Sequence, residues 1–356
     1  MIQRDETLVG ELMETRQING FGENCCAPVL PYCDHGSATT TLPAHIMRQG
    51  ERASRRFLEF FAAEIENDNT RRAYFQAVTQ FFDWCEARGI TDLTRIEPVV
   101  VAAFIKAEKE RRGRDGVPTI KLQLSALRRL FDYLVTGRII DSNPALSVRG
   151  PRHQVGRGKT PVLARDEARL LLDSIPIYKE EEPDLLGLRD RALIALMVYS
   201  FARISAVVSM RVGDYYPVGK RFWIRLHEKG GKQHEVPVHH LAEEYLDAYL
   251  LAAGIGEDKK APLWRSARGR SGLLSEVGMS RTDAFRMIRR RAQVAGLPDN
   301  LGCHTFRATG ITAYLLGGGT LEGAQKIAAH SSPRTTRLYD RRSDEITLAE
   351  IERIQL

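Results

Sequence analysis

Between residues 50 and 148 apolar side chains recur every three or four positions, the spacing of helices that bury one stripe. Tyr74, Val78, Phe81, Phe82 and Cys85 share one face of a helix capped at Asn69-Thr70 and stopped by Gly89. Pro98 opens a second helix through Val101, Phe104 and Ile105, which runs out in Lys109-Glu110-Arg111-Arg112-Gly113. A third, from Pro118 to Val135, aligns Leu124, Leu127, Phe131 and Leu134 and leaves Lys121, Arg128 and Arg129 off that face. Residues 1–45 show no such period and read as a flexible leader, with the Pro, Gly and Thr content of Asn24 to Pro43 typical of loops.

The stretch 149–160 is glycine-rich, basic and aperiodic, as expected of an interdomain linker, and it carries Arg152 and Arg157. Beyond it, over 161–356, a second domain is expected. One helix follows Leu163-Ala164-Arg165-Asp166-Glu167 and a longer apolar one runs from Leu188 to about Phe201. Phe222 to Leu226 and Glu235 to Val238 then read as two strands joined by the turn Lys229-Gly230-Gly231-Lys232. Helices are predicted over 239–253, 280–296, 305–317, 321–330 and 345–355. The pattern therefore describes a mainly α protein with a small β-hairpin or sheet.

The 356 residues leave room for two ordinary domains, and 43% hydrophobic with 27% charged content supports a packed core. A net charge of +7 suggests a polyanionic partner. Arg281, Arg286, Arg289, Arg290 and Arg291 crowd one helix whose opposite face is read as Phe285, Ile288, Ala292 and Val294. Such a helix is suited to a nucleic-acid groove. Lys121, Arg128, Arg129 and the linker cations are either solvated surface or further phosphate contacts; beside a second DNA-binding domain they read as the latter.

Five scattered cysteines point to reduced thiols and the cytoplasm. Cys25, Cys26, Cys33 and His35 do not follow a zinc-ligand spacing. The chain has no long apolar run, no glycine-rich phosphate loop and no paired-carboxylate metal cluster, so neither a membrane, a cofactor nor a metal is expected.

The candidate chemistry lies near the C-terminus, in His304-Thr305-Phe306-Arg307, Ala329-His330-Ser331 and Arg337-Leu338-Tyr339-Asp340, with Arg203 and Lys229 upstream. The apolar stretch from Gly310 to Ala329 can fold these pieces back on each other. Two guanidiniums match the equatorial oxygens of a phosphodiester, a tyrosine oxygen can attack it, and a lysine or histidine can protonate the departing sugar oxygen. Arg203 follows an apolar helix, where an unpaired charge is costly, so an anion must be supplied: a protein carboxylate or, preferably, substrate phosphate. Tyr339, flanked by Arg337, Asp340, Arg341 and Arg342, reads as an exposed phenol rather than a core residue.

In order and context these motifs resemble the tyrosine recombinase (phage integrase) family, over about residues 50–356. The family's first arginine, after a helix of the type Leu188-Arg189-Asp190-Arg191-Ala192-Leu193-Ile194, corresponds to Arg203. Its hairpin lysine corresponds to Lys229 rather than Lys232, its His-x-x-Arg box to His304 and Arg307, its next histidine to His330 and its nucleophile to Tyr339. The resemblance implies a two-domain DNA clamp with a helical core-binding domain and a catalytic domain. It also implies strand cleavage and rejoining through a 3′-phosphotyrosyl bond, and a homotetramer on two paired sites linked through the tail Asp344 to Leu356. A second recombinase or an accessory DNA-bending protein remains open as a further partner, and the setting is the nucleoid in the cytoplasm.

Three positions depart from the family. The acidic residue common three positions after the first arginine is Ala206, the Gly-Leu before it is Phe201-Ala202, and the histidine often found after the second arginine is Ala308. Ala206 and Ala308 keep open a catalytically weak or inactive recombinase-derived DNA-binding protein as the alternative.

Overall fold

The computed structural model describes residues 42–152, 158–228, 231–269, 271–341 and 352. The chain divides into two compact units, Met1–Gln154 and Val155–Leu356, each with its own core.

The first unit is a helical bundle: α1 (Ala44–Arg48), α2 (Glu51–Ala62), α3 (Asp68–Glu86), α4 (Pro98–Arg112) and α5 (Val117–Thr136). Its core is aromatic. Phe57, Phe60, Phe61, Phe81, Phe82, Phe104 and Phe131 are all fully buried, and Phe81 meets Phe104 edge-on with centroids 5.1 Å apart. Helix α3 starts slightly earlier than its sequence suggests, because the Asn67 side chain accepts from the Thr70 backbone N–H at 3.1 Å. Leu42, His45 and Ile46 are buried, so packed structure begins inside the segment expected to be a leader. The Cys25, Cys26, Cys33 and His35 group lies outside the described residues.

On α4 the Glu108 carboxylate is buried and accepts from Arg111 at 2.8 Å, Arg112 at 2.7 Å and Gln123 at 2.9 Å. Burial pushes its pKa up, but these donors win and bring it down to about 2.

The second unit is built round α7 (Leu185–Ser200), after α6 (Arg165–Asp173) and a small hairpin of β1 (Tyr178–Lys179) and β2 (Glu182–Pro183). Helix α7 is apolar nearly all round because it is buried on most sides. The short α8 (Ile204–Val208) leads into an antiparallel sheet of β3 (Tyr215–Val218), β4 (Arg221–His227) and β5 (Gln233–Pro237), with β4 central. Register pairs Tyr215 with Ile224 and Ile224 with Val236, placing Ile224, Leu226 and Val236 in the core. Strand β3 was not anticipated from sequence.

Then follow α9 (His240–Ala253), the pair β6 (Arg265–Ala267) and β7 (Leu274–Gly278), α10 (Arg281–Val294), α11 (Cys303–Leu316), α12 (Leu321–Ile327) and α13 (Pro333–Arg337). Helices α9 and α11 pack on α7. The α7–α11 crossing is close enough to require Gly310, where an added Cβ would lie 2.0 Å from the Val198 carbonyl oxygen and 2.7 Å from the Phe201 ring.

Among the described residues no helix is long and apolar enough to cross a membrane, and no group of His, Cys, Asp and Glu side chains could hold a metal. Cys85 is a free, buried thiol whose pKa is pushed up to about 12 by burial, whereas Cys303 is only half-buried.

Candidate active site

The site forms where the ends of α7, α11, α12 and α13 meet. Helix α7 ends at Phe201 in the left-handed conformation, φ 54°, an unusual one for a bulky residue. That turn directs Arg203 to the N-cap position of α8 and points the Phe201 carbonyl at Arg307, which donates to it from Nη1. Arg307 Nη2 donates to the Ala328 carbonyl at 2.6 Å. Arg307 is only 1% exposed; the two carbonyls it donates to are neutral, and the Tyr339 side chain also favours its charged form. Burial and then the nearby Arg203 charge lower its pKa to about 10, against the opposing effects of Tyr339 and Glu228, so it stays cationic at neutral pH.

Arg203 differs. The sequence favours substrate phosphate as its anion; in the structure the buried carboxylate of Glu228 accepts from its Nη1. Glu228 follows the last residue of the central strand, His227, and its backbone N–H donates to the Lys232 carbonyl at 2.8 Å across the turn. Lys232 is exposed; Lys229 lies outside the described residues.

Helix α12 terminates through left-handed Ala329, φ 48°, after which the His330 N–H donates to the Gln325 carbonyl at 3.1 Å. The His330 ring is buried, bonded through Nδ1 to Thr336 Oγ1 at 2.9 Å, and stacked on Tyr339 at 5.9 Å between centroids. Desolvation first, then Arg307, Arg203 and His304, depress its pKa to about 3, so the imidazole is neutral in any physiological range.

Tyr339 is buried, 7% exposed, which corrects the expectation of an exposed phenol. Of its described polar neighbours, Arg337 is exposed and Asp340 and Arg341 are half-buried, while the ring joins Phe201, Ala308, Ile311 and Ala328 in one buried cluster. Thr312 Oγ1 holds the Tyr339 carbonyl at 2.9 Å. The hydroxyl lies 3.3 Å from His304 Nε2. His304 is exposed as a residue, yet its ring loses enough water that desolvation, followed by the Arg307 and Arg203 charges, lowers its pKa. A neutral His304 can accept the phenolic proton, in the tautomer that leaves Nε2 free.

Leu338, beside the tyrosine, accepts from the Gly158 N–H at 2.9 Å, and Arg341 Nη2 donates to the Gly158 carbonyl at 2.7 Å. The end of the linker is thus sewn to the segment carrying Tyr339. The tail Asp344 to Leu356 lies outside the described residues apart from Glu352.

Of the expected phosphate-contacting cations, Lys121, Arg129, Arg152, Lys232, Arg281, Arg286 and Arg289 are exposed. Arg129 lies 3.8 Å from Glu64, and Arg157 falls outside the described residues. Arg128 is half-buried and donates to the carbonyls of Ala145 at 3.2 Å and Val148 at 2.5 Å, so it ties the end of its own unit together. Arg290 and Arg291 both reach the fully buried Asp190, at 3.4 and 2.8 Å. The buried face of α10 is Ala284, Met287, Ile288 and Ala292. Phe285 and Val294, expected inside, are 45% and 67% exposed, and Arg289 lies over the Phe285 ring.

Sequence reasoning missed Glu228, Thr312 and Thr336. Only Glu228 left a signal: a carboxylate directly before Lys229 in a chain lacking the acid expected at position 206.

A tyrosine hydroxyl beside a neutral histidine and two guanidiniums is an arrangement that can hold an anionic group and offer it an oxygen nucleophile. The sequence matches the phage integrase family over residues 161–345 and the phage integrase N-terminal SAM-like domain over residues 55–137. Tyrosine recombinase XerD of Corynebacterium glutamicum is 30% identical over 278 residues, 76% of this chain and 86% of that protein. Tyrosine recombinase XerC of Thermodesulfovibrio yellowstonii is 28% identical, over 77% of this chain and 86% of that protein. Among solved structures, the XerH site-specific recombinase in a post-cleavage complex with palindromic difH substrate has a TM-score of 0.62 at 19% identity, over 86% of this chain and 85% of that one. A lambda integrase dimer bound to a COC′ core site gives 0.60 at 19% identity, over 83% of this chain and 79% of that one. The chain belongs to the phage integrase family, the tyrosine recombinases.

Proposed function

We propose that the chain is a site-specific DNA recombinase that cuts and rejoins strands through Tyr339. The phenolic oxygen attacks the scissile phosphorus, its proton passing to His304. A Tyr339–phosphorus bond forms as the phosphorus–O5′ bond breaks, leaving a 3′-phosphotyrosyl link and a free 5′-hydroxyl. Arg203 and Arg307 hold the non-bridging oxygens, and Lys229 protonates the departing O5′. Attack by the 5′-hydroxyl of a second strand reverses these steps and releases the tyrosine. His330 supports the tyrosine ring from behind as a neutral platform.

The observation that carries this reading is the seating of the Tyr339 hydroxyl 3.3 Å from His304, in a pocket where buried Arg307 is bonded to no carboxylate among the described residues. The DNA-bound forms of XerH and lambda integrase, and a lambda integrase tetramer on a Holliday junction, support duplex DNA as partner and assembly of several copies on it. On this reading a homotetramer pairs two sites, with the C-terminal tail exchanged between copies. The exposed cations of the helical unit and of α10 position the duplex. Nothing in the site favours the non-enzymatic alternative.

The test uses a pool of nicked duplexes of randomised sequence, in which cleavage releases a short strand and traps the protein on DNA. The wild-type protein is expected to become covalently linked through Tyr339 to a 3′-phosphate, with the trapped sequences revealing the site, and Tyr339→Phe is expected to give no adduct. An adduct through another residue, or none at all, sinks the reading.

A further inference from the structure

Arg203 and Arg307 place two guanidiniums together, and the Arg203 charge is among the causes that lower the Arg307 pKa. A pair of this kind needs a nearby anion to stay in place before phosphate arrives. The position where the family resemblance puts that anion, three residues after Arg203, is Ala206, fully buried and without a polar atom in its side chain. Glu228 meets the need from a different element. Its side chain is 5% exposed, Arg203 Nη1 donates to its Oε2, and its charge also favours the cationic form of Arg307.

We infer that Glu228 is the positioning residue of this site, holding Arg203 in its phosphate-binding pose in place of the carboxylate missing at position 206. Glu228 also directly follows the central strand and directly precedes Lys229. One carboxylate therefore anchors the root of the turn that bears the proposed general acid and the arginine that grips the phosphate. The backbone bond from Glu228 N–H to the Lys232 carbonyl fixes the turn from its other side. A carboxylate on the neighbouring helix turn could orient the arginine but would not reach the turn's root. The inference rests on the proposed strand-transfer reading.

The opposite role has a distinct signature. If Glu228 merely occupied the place of the phosphate, it would compete with DNA, and its removal would speed cleavage. The experiment measures single-turnover cleavage, at saturating protein, of a duplex recovered from the randomised pool, alongside non-covalent affinity for the same duplex. Glu228→Gln keeps the size and one acceptor oxygen but removes the charge. It is expected to slow cleavage at least tenfold while affinity stays level or rises, because a negative charge has left the DNA-facing site. Two combinations separate positioning from simple structural damage. In an Arg203→Lys background, Glu228→Gln is expected to cost less than twofold, since the group it positions is already gone. Adding Ala206→Glu to Glu228→Gln is expected to recover a substantial part of the rate. Glu228→Gln cleaving at the wild-type rate or faster, or costing the same factor with and without Arg203, overturns the inference. A double variant with Ala206→Glu that melts and binds DNA like its parent but gains no rate also counts against it. If the wild-type protein itself forms no adduct, the strand-transfer reading has failed instead.

Discussion

At the scale of single residues, the site works through what burial does to charge. His330 and Arg307 sit in the same desolvated pocket, and its effect on them is opposite in consequence. Arg307 has so high an intrinsic pKa that a drop to about 10 leaves it charged, whereas His330, brought to about 3, is neutral. The neutral histidine can lie flat on the Tyr339 ring without adding a third cation. This has a stability signature. Because the folded-state pKa is depressed, the unfolded chain takes up the proton first, near the ordinary histidine value of about 6.5. The contribution is full above about pH 6.5 and is lost as pH falls towards 3, at up to about 1.4 kcal/mol per pH unit. Between pH 7 and 5, His330→Gln is expected to flatten the fall in unfolding free energy measured by urea titration. Glu108, with its pKa near 2, is lost at lower pH and does not contribute in that window. A variant as steeply pH-dependent as the wild type would refute the assignment.

Among the elements, the decisive feature is the crossing of α7 and α11. Arg307 reaches the Phe201 carbonyl only because the helices approach through Gly310, one turn further along α11. Gly310→Ala would put a methyl group 2.0 Å from the Val198 carbonyl oxygen, so backbone must move. The expected cost is about 1–3 kcal/mol, as for other overpacked cores. It would be read as a lower urea midpoint at unchanged slope, together with slower cleavage because Arg307 moves with the helix. Unchanged stability would mean that the crossing is looser than described. The strained Phe201 turn has the same logic: the ring is held by Ala308, Ile311 and Leu315, and this packing offsets a left-handed backbone that glycine would adopt freely.

For the whole molecule, the distribution of charge separates cations that hold the protein together from those free to meet a polyanion. Lys121, Arg152, Lys232, Arg281, Arg286 and Arg289 are exposed; Arg129 and Arg290 are exposed but near Glu64 and Asp190, while Arg128 is bonded to its own unit's carbonyls. With about six to ten phosphate contacts, log affinity for DNA should fall against log salt with a slope of about −5 to −9. Arg286→Ala should reduce that slope by about one. Arg128→Ala should leave the slope unchanged and lower the melting temperature of the helical unit. A flat salt dependence, or equal slope changes from both variants, would contradict this division.

The sequence by itself determined most of the longer helices and the order of the chemical groups, since both are local properties. Pro98 to Arg112 is a helix where proline, apolar spacing and a terminal cluster of cations said it would be. The residues from Arg203 to Tyr339 are recognisable because type and order survive without coordinates. Strand β3 was hidden because Pro217 is unfavourable inside a sheet and is tolerated here on an edge, paired only with β4. Only the tertiary structure decided that Tyr339 is buried, that Phe285 rather than Arg291 faces outward on α10, and that Arg203 has a carboxylate from a residue 25 positions away. Each of these depends on which distant segment supplies the other half of a contact, and no local spacing encodes that partner.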